Sequence, residues 1–234
     1  MMRNVISARF SAVLGLLALM FVVSAPAKAE TIMPGTSVDL ETQFGTYVAS
    51  QAFGTAIARQ AAAYEKGLGY TCDEGYTVSL RGLRIIRPVV TVPEGPLFVA
   101  EGVAQPTGGV WSNQHIITRC GESFTYNSLA GVADNGQMNI RHLVPGSTGL
   151  YPLLINRFKP IVGRLAEIPE CTSVIIADTV PGAPEDVTVS KDDGVYETWT
   201  VQGCEKIVRL TIRFEANEAN DGFLPTVEDR RVMN

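Results

Sequence analysis

The sequence predicts an α+β fold made of two tandem units, each a helix followed by an antiparallel sheet and each held by one disulfide. Three observations lead to this prediction. A helical pattern occurs twice, runs rich in β-branched residues follow each one, and four widely spaced cysteines divide evenly between the two halves. We place an N-terminal export signal at 1–29, the first unit at 30–145 and the second at 146–234.

The first 29 residues have the composition of a secretory signal peptide. Arg3 and Arg9 form a positively charged start, 13–23 is almost wholly apolar, and Ala27 and Ala29 are the small residues needed for cleavage after Ala29. The alternative is a membrane anchor, but the apolar run is about half of the roughly 20 residues that cross a bilayer. We therefore expect a periplasmic or secreted protein with no transmembrane span in the mature chain.

The mature chain is acidic. The signal contains three of the 19 Lys and Arg and none of the 24 Asp and Glu, which leaves 16 basic against 24 acidic side chains and a net charge of −8. Nucleic-acid binding depends on clustered Lys and Arg. No such cluster occurs along the sequence, so we expect no nucleic-acid partner.

Helix one is predicted over 39–66. Thr36 or Ser37 can cap its first turn, Asp39 suits the positive end of its dipole, and Gly67 ends it. The helix is rich in small side chains: Ala49, Ala52, Ala56, Ala58, Ala61, Ala62 and Ala63. Because small side chains permit close approach, we interpret this helix as a segment that docks onto a partner.

Helix two is predicted over 148–167, with Ser147 as its cap and a kink at Pro160, which lacks a backbone donor. Its apolar residues recur at helical spacing. They are Leu150, Leu153, Leu154, Phe158, Ile161, Val162 and Leu165.

Strands are predicted after each helix, at 76–92 in the first unit and at 173–180, 195–202 and 207–214 in the second. The last of these alternates strictly. Val208, Leu210, Ile212 and Phe214 face one way, with polar residues between them. This period of two is typical of an antiparallel strand with one buried face.

An internal duplication is indicated by short matching segments. Gly109-Val110-Trp111 starts 11 residues before Cys120, and Gly194-Val195-Tyr196 starts 10 residues before Cys204. Chance similarity between β-rich segments is the alternative explanation.

The cysteines favour disulfides, because an exported chain with an even number of cysteines usually pairs them. Four cysteines allow three pairings. The duplication selects pairing within each unit, Cys72 with Cys120 and Cys171 with Cys204. Each bond should stabilise the fold by about 3–4 kcal/mol. A zinc site of cysteines with a histidine is the weaker alternative, and we predict no metal or cofactor.

Recognised catalytic motifs are absent from the sequence. The nearest candidate is Ser147 in the turn 145–149, five residues after His142. The alternative is that Ser147 is only a helix cap and that the flanking glycines serve the turn. His142 and the second histidine of the mature chain, His115, are each more simply explained as structural residues.

Acidic residues give two weaker hypotheses. Spatially paired carboxylates could hydrolyse glycosides. The candidates are Glu101, Asp134, Asp192, Asp193 and Glu197, although acidic loop residues are usually only solvated. The segment 215–221 is the best calcium candidate but lacks the full loop pattern.

The leading functional hypothesis is a non-catalytic exported protein that binds or helps assemble another cell-envelope component. One alternative is a carrier of a small apolar ligand between helix two and a sheet. Trp111 and Trp199, in the two matching hairpins, could line a ligand cleft under the helices instead of packing a core. The other alternative is a hydrolase. The oligomeric state is left open.

Overall fold

The structure, a computed structural model, describes residues 29–67, 69–70, 72–92, 103–189, 194–217 and 222–233. All of the predicted signal peptide except its last residue, Ala29, lies outside these ranges. Within them, none of the helices has the length and apolar character needed to cross a membrane.

The described residues form two antiparallel sheets with a few short or medium helices, which confirms the predicted α+β class. The elements are β1 (Glu30–Ile32), α1 (Gln43–Ala49), α2 (Gln51–Gly67), β2 (Thr77–Thr91), β3 (Gly108–Arg119), β4 (Glu122–Val132), β5 (Met138–His142), α3 (Pro152–Asn156), α4 (Val162–Leu165), β6 (Val174–Pro181), β7 (Val195–Gly203), β8 (Lys206–Asn217) and β9 (Gly222–Met233). A 3-10 helix, Lys159–Ile161, precedes α4.

Sheet 1 has the strand order β1-β2-β3-β4-β5, and α1 and α2 pack on one of its faces. The core between them is aromatic. Trp111 of β3 is fully buried, with its ring centroid 5.0 Å from Phe44 of α1 and 6.3 Å from Phe53 of α2.

The predicted helix one is in fact two helices that begin later than expected. Thr42, and neither Thr36 nor Ser37, caps α1 by accepting a hydrogen bond from the Gly45 amide at 3.0 Å. The helix is then interrupted at Ser50, whose backbone is extended and whose hydroxyl accepts a hydrogen bond from the Phe53 amide. Hydroxyl side chains compete with helical hydrogen bonds in this way.

Sheet 2 has the order β6-β7-β8-β9 and carries α3, the 3-10 helix and α4 against its apolar face. The prediction of one helix over 148–167 is wrong, because the segment divides into these three short pieces. Pro160 lies within the 3-10 helix, where its missing donor interrupts the α-helical ladder. The residue in the cap position of α3 is Tyr151, so Ser147 caps no helix.

The apolar face predicted for β8 is confirmed, since its four apolar side chains are at most 1 % exposed, but the burial does not alternate strictly, because Thr211 between them is also fully buried. Both predicted disulfides are also confirmed, Cys72–Cys120 and Cys171–Cys204. In each unit the second cysteine begins a two-residue turn with positive φ, 45° at Cys120 and 47° at Cys204. The order helix, cysteine, two strands, cysteine, strand therefore occurs in both units, while the internal duplication stays a prediction.

Candidate functional site

The turn that contains Ser147 joins the two sheets. The Gly146 amide donates to the Thr125 carbonyl of β4 at 2.6 Å, and the next amide, that of Ser147, donates to the Thr179 carbonyl of β6 at 2.8 Å. The Asn127 side chain fixes the turn by donating to the Val144 and Gly146 carbonyls. This turn is thus a hydrogen-bonded bridge between sheets.

Gly146 is required in this bridge. Its φ is +105°, and a Cβ atom there would lie 2.2 Å from both the amide nitrogen and the carbonyl oxygen of Thr179. A side chain would therefore force the turn away from β6. The glycine that sequence reasoning interpreted as part of a candidate active-site turn serves the contact between the sheets.

His142 lies on β5, with its ring centroid 5.7 Å from that of Tyr64 and 5.6 Å from that of Tyr126. In the described part of the chain, the His142 ring forms no hydrogen bond with the Ser147 hydroxyl. Burial lowers the pKa of His142. Burial also lowers the pKa of His115 to about 4, and His142 adds to that effect.

A cavity of about 610 Å³ lies where the units meet, and Ser147, Asp178 and Tyr126 are among its lining residues. Burial raises the pKa of Asp178. Glu65 of α2, which also lines the cavity, is 2 % exposed.

Glu65 accepts hydrogen bonds from Arg119 Nε at 2.9 and 3.0 Å, from Tyr76 at 2.7 Å and from Tyr126 at 2.8 Å. Burial by itself would raise the pKa of Glu65, but the hydrogen bonds from Arg119 and the two tyrosines hold it below its ordinary value. Because both of its oxygens accept hydrogen bonds from protein side chains, we interpret this carboxylate as a structural anion. Sequence reasoning missed it, although its spacing from Phe53 along α2 placed it on the buried face.

Trp111 and Trp199 are both fully buried in the cores. Trp199 packs 5.5 Å from Phe214, measured between ring centroids. Both rings therefore pack in hydrophobic cores, which was the alternative to lining a ligand cleft.

In the described part of the chain, no two of the carboxylate candidates form a pair. Glu197 is fully buried and accepts hydrogen bonds from the Thr148 hydroxyl at 2.9 Å and the Gly149 amide at 2.8 Å, while burial raises its pKa. Asp134 lies in the exposed turn between β4 and β5. The other three candidates, Glu101, Asp192 and Asp193, fall outside the described residues, as does 218–221 of the calcium candidate. In the described part of the chain, no three His, Cys, Asp or Glu side chains group as metal ligands would.

A groove lies beside α2. It has a volume of about 530 Å³, and its two walls are a stripe of small side chains on α2 and the start of β2. These residues include Gly54, Ala58 and Ala62 from α2, Thr77 and Val78 from β2, and Tyr76 just before β2. The alanine-rich helix that we interpreted as a docking segment thus presents part of its small face to a groove; we call this the α2–β2 groove.

Comparisons of the chain with protein-family models, with curated proteins and with solved structures gave no match.

Proposed function

We propose that the mature chain is a non-catalytic exported protein that binds another cell-envelope component, and that the α2–β2 groove receives an extended segment of a protein partner. The observation that carries this proposal is the open edge of β2 beside a wall of small side chains. Export is part of the proposal, and two disulfides suit an oxidising compartment such as the periplasm.

The edge of β2 offers backbone groups for pairing. Its partner on that side, β1, covers only Val89–Thr91, and among the described residues Thr77–Pro88 has no strand neighbour there. An unpaired edge is a template for an added strand, whose main-chain hydrogen bonds supply affinity. A bulge follows Leu80, so the regular stretch available for pairing is Thr77–Leu80.

The helical wall gives the added strand room. Gly54, Ala58 and Ala62 recur every four residues and so lie on one face of α2, adjacent to the face that Phe53 and Ile57 bury. Side chains from the added strand that point toward the helix would meet methyl groups and a glycine. At the rim, the exposed Arg59 favours an acidic residue in the partner segment.

The apolar-carrier alternative receives less support. The space between the short helices and sheet 2 is occupied by Phe158, Trp199 and Phe214, whose ring centroids lie 5.4–6.3 Å apart. The hydrolase alternative receives less as well, since the imidazole of His142 is held between two tyrosines without a bond to Ser147. Binding of a partner segment in the α2–β2 groove is therefore the function that the geometry favours.

Photo-crosslinking tests the proposal. A photoreactive residue at Thr55, which lines the groove, is compared in intact cells with the same residue at Ala63, an exposed position of α2 outside it. We expect one dominant protein adduct from Thr55 only, followed by mapping and synthesis of the attached partner segment. Equal adducts from both positions would contradict specific binding in the groove. An adduct with a second copy of this chain would show that the groove forms a dimer contact and does not bind a different protein.

A matched pair of substitutions measures the contribution of the groove. Ala58→Gln fills the wall, whereas Ala63→Gln makes the same chemical change outside it. We expect the first to weaken binding of the synthetic segment by about tenfold or more, which is about 1.4 kcal/mol, and the second to leave it nearly unchanged. Equal affinities for the two variants would rule out the groove.

A further inference from the structure

The face of sheet 1 that points away from α1 and α2 carries several exposed arginines. In the strand register, Arg84 of β2 lies opposite Ser112 of β3, and Leu129 of β4 lies opposite Arg141 of β5. Since Ser112 also pairs with Leu129, all four residues form one row with an arginine at each end. We call this surface the arginine face.

Two hollows lie on the arginine face. One, of about 300 Å³, is lined by Arg87, Arg141 and Asn139 above a floor that includes Gly131. A Cβ on Gly131 would approach Val110 to 3.1 Å, so the glycine keeps this floor low.

The second hollow, of about 250 Å³, is lined by Arg84, Gln114, Asn127 and Tyr151. The Arg84 guanidinium lies over the Tyr151 ring, 4.8 Å from its centroid, which holds the cation in place. Ser112 and Leu129, which pair directly in the row, line different hollows, so the two hollows adjoin.

The cations of this face lack counter-charges in the described part of the chain. No acidic side chain lines either hollow, and neither Arg84, Arg87 nor Arg141 forms an ion pair there. On sheet 2, by contrast, the half-buried arginines are paired with Asp or Glu. In a mature chain with eight more acids than bases, such a concentration of unpaired cations creates a local field that attracts anions.

We propose that the arginine face binds an anionic glycan, a saccharide chain bearing carboxylate or phosphate groups. The guanidinium groups suit planar carboxylates and phosphates, and the side-chain amides of Asn139 and Gln114 can exchange hydrogen bonds with hydroxyls. A membrane surface is disfavoured, because insertion needs exposed apolar side chains and none of the large exposed ones of the described chain lies among those lining this face. This inference does not depend on the α2–β2 groove.

Affinity electrophoresis of the mature protein tests the inference. Native gels contain polygalacturonate as the carboxylated probe, a phosphorylated mannan as the phosphate probe, or dextran as the neutral control. We expect retardation by at least one anionic probe, none by dextran, and weakening as salt screens the charges. No retardation by either anionic probe at low salt would overturn the proposal.

Matched charge reversals separate this face from bulk charge. Arg87→Glu with Arg141→Glu alters one hollow, and Arg164→Glu with Lys206→Glu makes the same net change at exposed positions on the second unit. We expect the first pair to weaken binding by about tenfold or more and the second by less than about twofold. Equal losses would overturn the proposal, as would equally strong binding of the unaltered protein to phosphatidylglycerol vesicles. Thermal unfolding of both variants confirms that they are folded.

Discussion

The buried Glu65–Arg119 pair should be the most sensitive polar element of the first unit. Glu65→Gln keeps the shape of the side chain but removes its charge and leaves Arg119, which is 8 % exposed, without its main counter-ion. Breaking a buried, hydrogen-bonded pair on one side costs about 3–5 kcal/mol. At about 2–4 °C per kcal/mol for a chain of this length, the melting temperature should fall by about 6–20 °C.

Glu122→Gln is the matched control. Glu122 also pairs with Arg119, at 3.2 Å between Arg119 Nη1 and Glu122 Oε2, but its side chain is 69 % exposed. Exposed pairs contribute about 0–1 kcal/mol. Thermal and urea unfolding of the two variants give the comparison. If Glu65→Gln destabilises the protein no more than Glu122→Gln does, the reasoning about the buried pair is wrong.

The pair also sets an acid dependence. Because the pKa of Glu65 is lowered in the folded state, its stabilisation is complete above the ordinary carboxyl pKa of about 4.3 and is lost as the pH falls through the lowered value. The Glu65→Gln variant should lack this part of the acid-induced loss. Urea unfolding between pH 6 and pH 3, proposed as the working range, measures the difference; parallel curves for both proteins would contradict it.

Three further predictions concern the scaffold. Gly146→Ala should destabilise the protein by more than about 2 kcal/mol, because it adds a backbone clash to the strain of a positive φ. Gly182→Ala, at φ +89° with open space around it, should cost only about 1–2 kcal/mol. Equal losses of unfolding free energy in urea would refute the close contact between Gly146 and Thr179. Removing either disulfide by paired Cys→Ala substitution should cost about 4 kcal/mol for loops of 48 and 33 residues, and unchanged melting temperatures would refute this. The His115 ring should titrate near pH 4 by NMR, so its burial reduces stability as the pH falls from about 6.5 toward that value; a midpoint near 6.5 would contradict its burial.

The disulfide pairing and the inward face of β8 could be predicted because both depend on local order along the chain. Cysteines at matching places in two units select one pairing, and a strict alternation of apolar residues leaves one buried face. Helix boundaries were less accessible. Ser50 breaks helix one because its hydroxyl accepts the Phe53 amide, a choice between two competing hydrogen bonds that periodicity does not report.

The sites that arise from distant residues were out of reach of sequence reasoning. Glu65 and Arg119 are 54 residues apart and meet only because α2 packs on sheet 1. Arg84 and Arg141 enter one row only through the register of four strands, so a chain without a linear basic cluster still forms a basic surface. Ser147 stood out for the opposite reason, because the glycine beside it suggested chemistry and instead permits close contact with β6.

Hydrogen exchange of the β2 amides tests the proposed docking groove most directly. The mature protein is measured alone and with the synthetic partner segment identified by crosslinking at Thr55. We predict slowed exchange of outward-pointing amides within Thr77–Leu80, with the effect lost in Ala58→Gln and kept in Ala63→Gln. Unchanged exchange along β2 while the segment is bound would contradict strand addition at this edge.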